Sequence, residues 1–230
     1  MDKKKSAFTL AEVLITLGII GVVAALTMPA LIIKYEKKQA AVRLKKAYSE
    51  LSQAVKFSEL DNGSVDDWDY SLGAQIFFER YFKDYLKNVK QLKASQYKQL
   101  VDYKALNSVR VCAVGARFCE NSSYGVMLAN GTILYFTDSS SVIIVDVNGF
   151  KKPNMQGRDL FLLSVQPVYG VTPFGFGRVE NQNEGFGNEY NRNKLMANNP
   201  YSTCNKTQYG NWCAALIMLD GWEIRDDYPW

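Results

Sequence analysis

Histidine is absent from the 230 residues. Without an imidazole neither a Ser-His-Asp nor a Cys-His arrangement can be assembled, and no lone carboxylate is singled out by its spacing as an acid or a base. Catalysis is therefore not expected. Cysteine is sparse: Cys112, Cys119, Cys204 and Cys213 include no C-x2-C pair, so zinc is not expected either. A Gly-rich phosphate loop following a strand is missing, and so is any internal repeat. Nor is charge of one sign in large excess. The formal net charge is +4, and the lysines and arginine between 34 and 46 read as a solvated helix face, so nucleic acid is not indicated as a partner.

The longest absence is of charge between Val13 and Ile33. At ~1.5 Å per residue, a helix over that run crosses a hydrocarbon core of ~30 Å. Lys3, Lys4 and Lys5 precede it with only Asp2 against them, which keeps the short end in the cytoplasm and exports the chain after Ile33. Thr27, Met28, Pro29 and Ala30 lead into further apolar residues instead of a small-x-small cleavage site. The run is not a removable signal peptide. One carboxylate, Glu12, stands near its start. A charge in lipid is costly and marks a partner or a function, unless it snorkels to the headgroups.

The order of basic leader, Ser6-Ala7-Phe8-Thr9-Leu10-Ala11-Glu12 and unbroken apolar helix resembles the signal of type IV pilins and type II secretion pseudopilins. The resemblance covers residues 3 to about 33. It implies that a prepilin peptidase cuts between Ala7 and Phe8 and methylates the new amine of Phe8, while the helix is retained. The implied partners are other copies or related pilin subunits, in a homo- or hetero-polymer, with the inner-membrane assembly machinery and, before assembly, membrane lipid. The implied location is the bacterial inner membrane, with the C-terminal domain periplasmic, and then a periplasmic or extracellular fibre. Ala7 stands where the family usually has Gly; Ala is the next smallest residue, and processing is expected to persist. Ala11 replaces a commoner large aliphatic.

Such a cut accounts for Glu12. With Phe8 first, Glu12 falls in the opening helical turn, where the helix dipole favours a negative charge. Between subunits, its carboxylate can pair with the Phe8 ammonium of a neighbour, two charges that are costly to bury singly and tolerable together. A subunit at the wrong stagger leaves Glu12 unpaired, which makes the pair a register device. Pro29 removes one backbone bond inside the helix and, as the family often has a Pro there, is the second residue expected to matter in assembly.

Beyond Ile33, Leu44, Tyr48, Leu51 and Val55 recur at helical spacing with Ala40, Ala47 and Ala54 beside them, which predicts one helix from about Phe8 to Leu60, stopped by Asp61-Asn62-Gly63. A second helix is expected over 74–93. Strands are expected at Val109–Val114, Tyr124–Ala129, Thr132–Thr137, Val142–Val147, Leu160–Val165 and Ala214–Leu219, with Asn130-Gly131 as a two-residue hairpin turn. Residues 173–200 show neither period and read as a long surface loop. The fold class is α+β, a long N-terminal helix packed by its soluble half on an antiparallel sheet. The divisions are a leader at 1–7, an assembly helix at 8–33, its amphipathic continuation at 34–62 and a globular domain at 63–230.

The cysteines lie outside the apolar run, and an oxidising compartment preserves disulfides. Of the pairings that four cysteines allow, the local ones, Cys112 with Cys119 and Cys204 with Cys213, are preferred. Asp146-Val147-Asn148-Gly149, followed by Asn154 and Asp159, begins like a calcium loop, with hard oxygen ligands on alternate residues before a turning Gly. The EF-hand pattern then fails, leaving Asp146, Asn148 and Asp159 as a calcium candidate against a plain turn. Three functions remain: a structural subunit of a pilus or secretion pseudopilus, a minor or tip-located binding module for adhesion, DNA uptake or cargo contact, and an uncleaved single-span envelope protein.

Overall fold

A computed structural model describes residues 9–87, 90–92, 103–109, 124–137, 141–177, 187–189, 191–198 and 202–230. The expected strand at Val109–Val114 lies almost wholly outside them, as do Ala7, Phe8, Cys112 and Cys119. Helix α1 runs from Leu10 to Asn62 with Pro29 inside it. The chain divides into two compact units, one ending at Lys38 and the other running from Gln39 to Trp230.

Within the second unit, α1 buries Ala40, Ala41, Leu44, Ala47, Leu51, Ala54, Val55 and Ser58. The three- and four-residue spacing puts them on one stripe, and the alanines let the backbone come close to its partner. That partner is one face of a six-stranded antiparallel sheet whose order follows the chain: β1 (Lys90–Gln91), β2 (Tyr124–Met127), β3 (Ile133–Phe136), β4 (Val142–Asp146), β5 (Leu160–Gln166) and β6 (Gly170–Pro173). Val126, Leu134, Phe136, Ile143, Val145, Leu163 and Val165 share a core cluster with the helix stripe. Ile133, Tyr135, Ile144 and Leu160 form a second cluster with Leu92 and Tyr103. Because both faces are covered, β4 and β5 are buried along their whole length, and their sequences read as continuous apolar runs without alternation.

Four expected strands are present with slightly shifted ends, and β1 and β6 are additional. The hairpin between β2 and β3 has a three-residue loop: Leu128 N–H donates to Thr132 O at 2.8 Å and Gly131 N–H to Leu128 O at 2.9 Å. Asn130 precedes Gly131, whose φ of +83° suits a residue without Cβ and places a bulge where a two-residue turn was expected.

Helix α2 covers only Ala74–Tyr81 of the expected 74–93. Phe82 leaves helical geometry at φ −130° and is fully buried among Trp68, Phe77 and Phe136. Burying that ring, together with Leu86, outweighs continuing the turns. A 3-10 turn at Val65–Asp67 leads to Trp68, which stacks on Tyr81 at 4.2 Å and 7°.

The largest correction is at Ala214–Leu219, expected as a strand and found as a helix, α4 (Cys213–Leu219). A short run that is apolar at every position carries no period to decide between the two. The Ala, Leu and Met residues favour helix, with Ile217 the one β-branched member. Inside the segment read as a loop, a short helix α3 (Arg192–Leu195) buries Leu195.

Candidate functional site

The N-terminal end of α1 is closed by its own residues. Thr9 N–H donates to Glu12 Oε2 at 2.8 Å, Thr9 Oγ1–H donates to the same oxygen at 2.9 Å, and Glu12 N–H returns to Thr9 Oγ1 at 3.3 Å. This is a capping box, which satisfies backbone donors that the first turn leaves without partners. Thr9 was not singled out from the sequence, although Thr-x-x-Glu before an apolar run is the signal that finds it. Every large apolar side chain from Leu10 to Ile33 is exposed, from 42% at Val13 to 78% at Leu10. The polar ones in that stretch are satisfied inside the helix: Thr16 Oγ1 donates to Val13 O and Thr27 Oγ1 to Val23 O, each at 2.9 Å. By length and composition α1 can cross a membrane.

A second group of residues sits in the connection between β4 and β5. Asp146 is fully buried, and its Oδ2 accepts the Tyr103 hydroxyl at 2.8 Å while Oδ1 accepts Asn148 N–H at 3.2 Å. Tyr103 and Tyr135 hydroxyls lie 3.1 Å apart. Asp159 is 3% exposed; its Oδ2 accepts Asn154 N–H at 2.8 Å and Asn148 Nδ2 at 3.0 Å, and its Oδ1 accepts Met155 N–H at 2.6 Å. Burial pushes the Asp146 carboxyl up to about 8, the Tyr103 hydrogen bond opposing this and the nearby negative Asp159 adding to it. Burial likewise raises Asp159 against the N–H groups of Met155 and Asn154. The fold thus gathers Asp146, Asn148 and Asp159, with Asn154 beside them. No cluster of three or more His, Cys, Asp or Glu side chains exists among the described residues.

The C-terminal region is fastened covalently and by charge. Cys204 is disulfide-bonded to Cys213 at a Cα–Cα distance of 4.7 Å, joining the segment after α3 to the first residue of α4. Arg192 donates to both oxygens of Asp220 at 3.0–3.3 Å and to both oxygens of Asp227 at 2.6 and 2.7 Å. Tyr228, buried near the chain end, gives its hydroxyl proton to Gly157 O.

A family model described as a family of unknown function (DUF6613) matches residues 30–230. The chain belongs to that DUF6613 family. A second model, the prokaryotic N-terminal methylation motif, matches residues 2–28, so this DUF6613 chain carries the signal of type IV pilins and pseudopilins and is a pilin-like precursor. No curated protein and no solved structure matches it.

Proposed function

We propose that this chain is a structural subunit of a type IV pilus-like fibre or a type II secretion pseudopilus. It polymerises through its hydrophobic N-terminal helix after a prepilin peptidase removes residues 1–7 and methylates Phe8. The observation that carries the reading is the methylation motif at residues 2–28 running straight into a helix whose large apolar side chains are all exposed up to Ile33. Such a surface needs lipid before assembly and other helices after it. The leader holds three lysines and one aspartate, so its removal lowers the formal net charge from +4 to +2. In this reading the subunit does no catalysis, its globular domain is exported, and its partners are copies of itself or related subunits, the processing peptidase and the inner-membrane assembly machinery.

Mass measurement of the N-terminal peptide from cells tests the reading. The expected peptide begins at Phe8 and carries one added methyl group, in chains recovered both from membranes and from sheared filaments. Chains that keep Met1 and never enter filaments would overturn it.

A further inference from the structure

Helix α1 holds two kinds of residue that the fold of a single chain does not explain. Beyond Lys38, three of its large apolar side chains stay exposed: Val42 at 52%, Phe57 at 56% and Leu60 at 80%. At ~100° per helical residue they fall within about 60° of one another, roughly opposite the buried stripe of Leu44, Ala47 and Leu51. Gln39, Gln53 and Lys46 share that outward sector, and Lys46 is paired with Glu50 at 3.7 Å. Lys45 and Lys56 lie along one flank, Arg43 and Asp61 along the other, so charged rows bracket a strip with no net demand for a counter-charge. At its Leu60 end the strip opens into a groove of about 570 Å³ whose lining includes Phe57, Leu60, Tyr85, Leu86 and Leu128. The second kind is glycine. A Cβ at Gly18 or Gly21 would meet nothing within 4 Å, so the chain's own packing does not require either, although glycine inside a helix weakens it.

We propose that the strip from Val42 to Leu60, with the groove at its end, is the seat on which a second copy lays the apolar half of its own α1. The inference rests on the fibre reading and adds to it the surface that covers the exposed helix. Lengths agree, since Val42 to Leu60 spans ~27 Å and Val13 to Ile33 ~30 Å. The chemistry agrees as well. Val13–Ile33 carries no charge and suits a strip without unpaired charge, whereas anionic lipid or nucleic acid would seek the lysine row beside it. Gly18 and Gly21, three residues apart, share one side of the incoming helix and let the bulkier seat come close. Copies drawn from one membrane are parallel. With strip and uncharged helix centred on each other, residue 51 of one copy stands level with residue 23 of the next, an axial offset of ~42 Å. Seat and seated helix are different surfaces of one chain, so the contact is heterologous, and with that offset it repeats as an open filament instead of closing as a two-fold dimer.

The test uses the full chain in cells that form filaments. Phe57→Ser combined with Leu60→Ser should leave the melting temperature of the detergent-solubilised chain within about 3 °C of the parent, because both side chains are exposed before assembly. The same double variant should lower the ratio of sheared-fibre to membrane-bound chain about fivefold or more. Ile76→Ser, at a side chain 57% exposed on α2, is the control and should keep the parental ratio. Benzoylphenylalanine installed at position 57 identifies the occupant: irradiated filaments should yield dimers whose cross-linked peptide falls within Val13–Ile33 of the second copy. Cross-links confined to lipid, to another protein or to residues 39–230 of a neighbour overturn the proposal, as does a double variant that assembles like the parent. A double variant that melts well below the parent also overturns it, since the strip would then serve the fold of its own chain. Each of these failures leaves parental filaments in place and the fibre reading with them; a parent that forms none removes that reading first.

Discussion

If the stripe on the soluble half of α1 is what holds the helix to the sheet, shortening a side chain inside it and shortening one just outside it should differ sharply. Leu51 is 0% exposed and belongs to the cluster that includes Phe136, Ile143 and Val165; Leu60, nine residues on in the same helix, is 80% exposed. Leu51→Ala deletes buried methyl groups and leaves a cavity that close-packed neighbours fill only in part, a loss of about 3 kcal/mol. Leu60→Ala removes atoms already in water and should change stability by less than about 0.5 kcal/mol. For a domain of this size about 3 kcal/mol corresponds to a melting shift of about 6–12 °C. Denaturant unfolding of the full chain in detergent, followed by tryptophan fluorescence, gives a clean readout, because Trp68, Trp212, Trp222 and Trp230 all lie in the unit from Gln39 to Trp230. A loss below about 1 kcal/mol for Leu51→Ala, well under the range for buried leucines, or equal losses for the two variants, would refute the assignment of the stripe as the docking face.

Gly157 adopts φ +78°, and a Cβ there would stand 2.8 Å from Cys213 Sγ and 3.4 Å from the Tyr228 hydroxyl, so Gly157→Ala should lower stability by about 1–3 kcal/mol through backbone strain and crowding, read by the same denaturation. Replacing both Cys204 and Cys213 by Ala opens a link between positions nine apart and should cost about 2–3 kcal/mol on the chain-entropy account, an expectation that parental stability of the double variant would contradict. The Arg192 guanidinium holds the Asp227 carboxyl below the usual carboxylate range, with burial working against it. A carboxyl whose folded pKa is depressed contributes stability above about pH 4, lost as pH falls through the folded value. Melting temperatures of Asp227→Asn should therefore fall less steeply on acidification from about pH 7 to about pH 3 than those of the parent, and superimposable curves would remove the clamp from the acid response.

What could be read from the sequence follows the strength of its periodicity. The stripe from Ala40 to Val55 has the spacing of a helix face, and the apolar runs of β4 and β5 were bounded by turn residues, so both were legible. The Ala214–Leu219 run offers only composition: all six residues are apolar, although Leu219 is exposed, so no alternation distinguishes strand from helix. The early end of α2 depends on Phe82 meeting Phe136, a contact across 54 residues of chain that no local pattern encodes. At the candidate sites, Asp146, Asn148 and Asp159 were visible as spaced oxygen ligands, but the roles of Tyr103 and of the unpaired Asn154 oxygen depend on tertiary placement. Thr9 is the opposite case, a residue whose role is encoded locally by Thr-x-x-Glu ahead of an apolar run.

That capping box changes how Glu12 must be tested. The carboxylate is not bare at the helix start; it already accepts the N–H and hydroxyl of Thr9, so replacing it by Ala removes a cap as well as any charge offered to a neighbour. Cap loss alone costs about 0.5–2 kcal/mol. Leaving the Phe8 ammonium of an adjoining subunit buried without its partner costs about 3–5 kcal/mol. Glutamine separates the two, because its side-chain carbonyl can keep the capping bond while the negative charge is gone. If pairing between subunits sets the axial register, Glu12→Gln and Glu12→Ala should both accumulate in the membrane and both fail to enter filaments, measured as the ratio of sheared-fibre to membrane-bound chain. Parental incorporation of Glu12→Gln would assign Glu12 to the cap of its own helix and eliminate the register pairing.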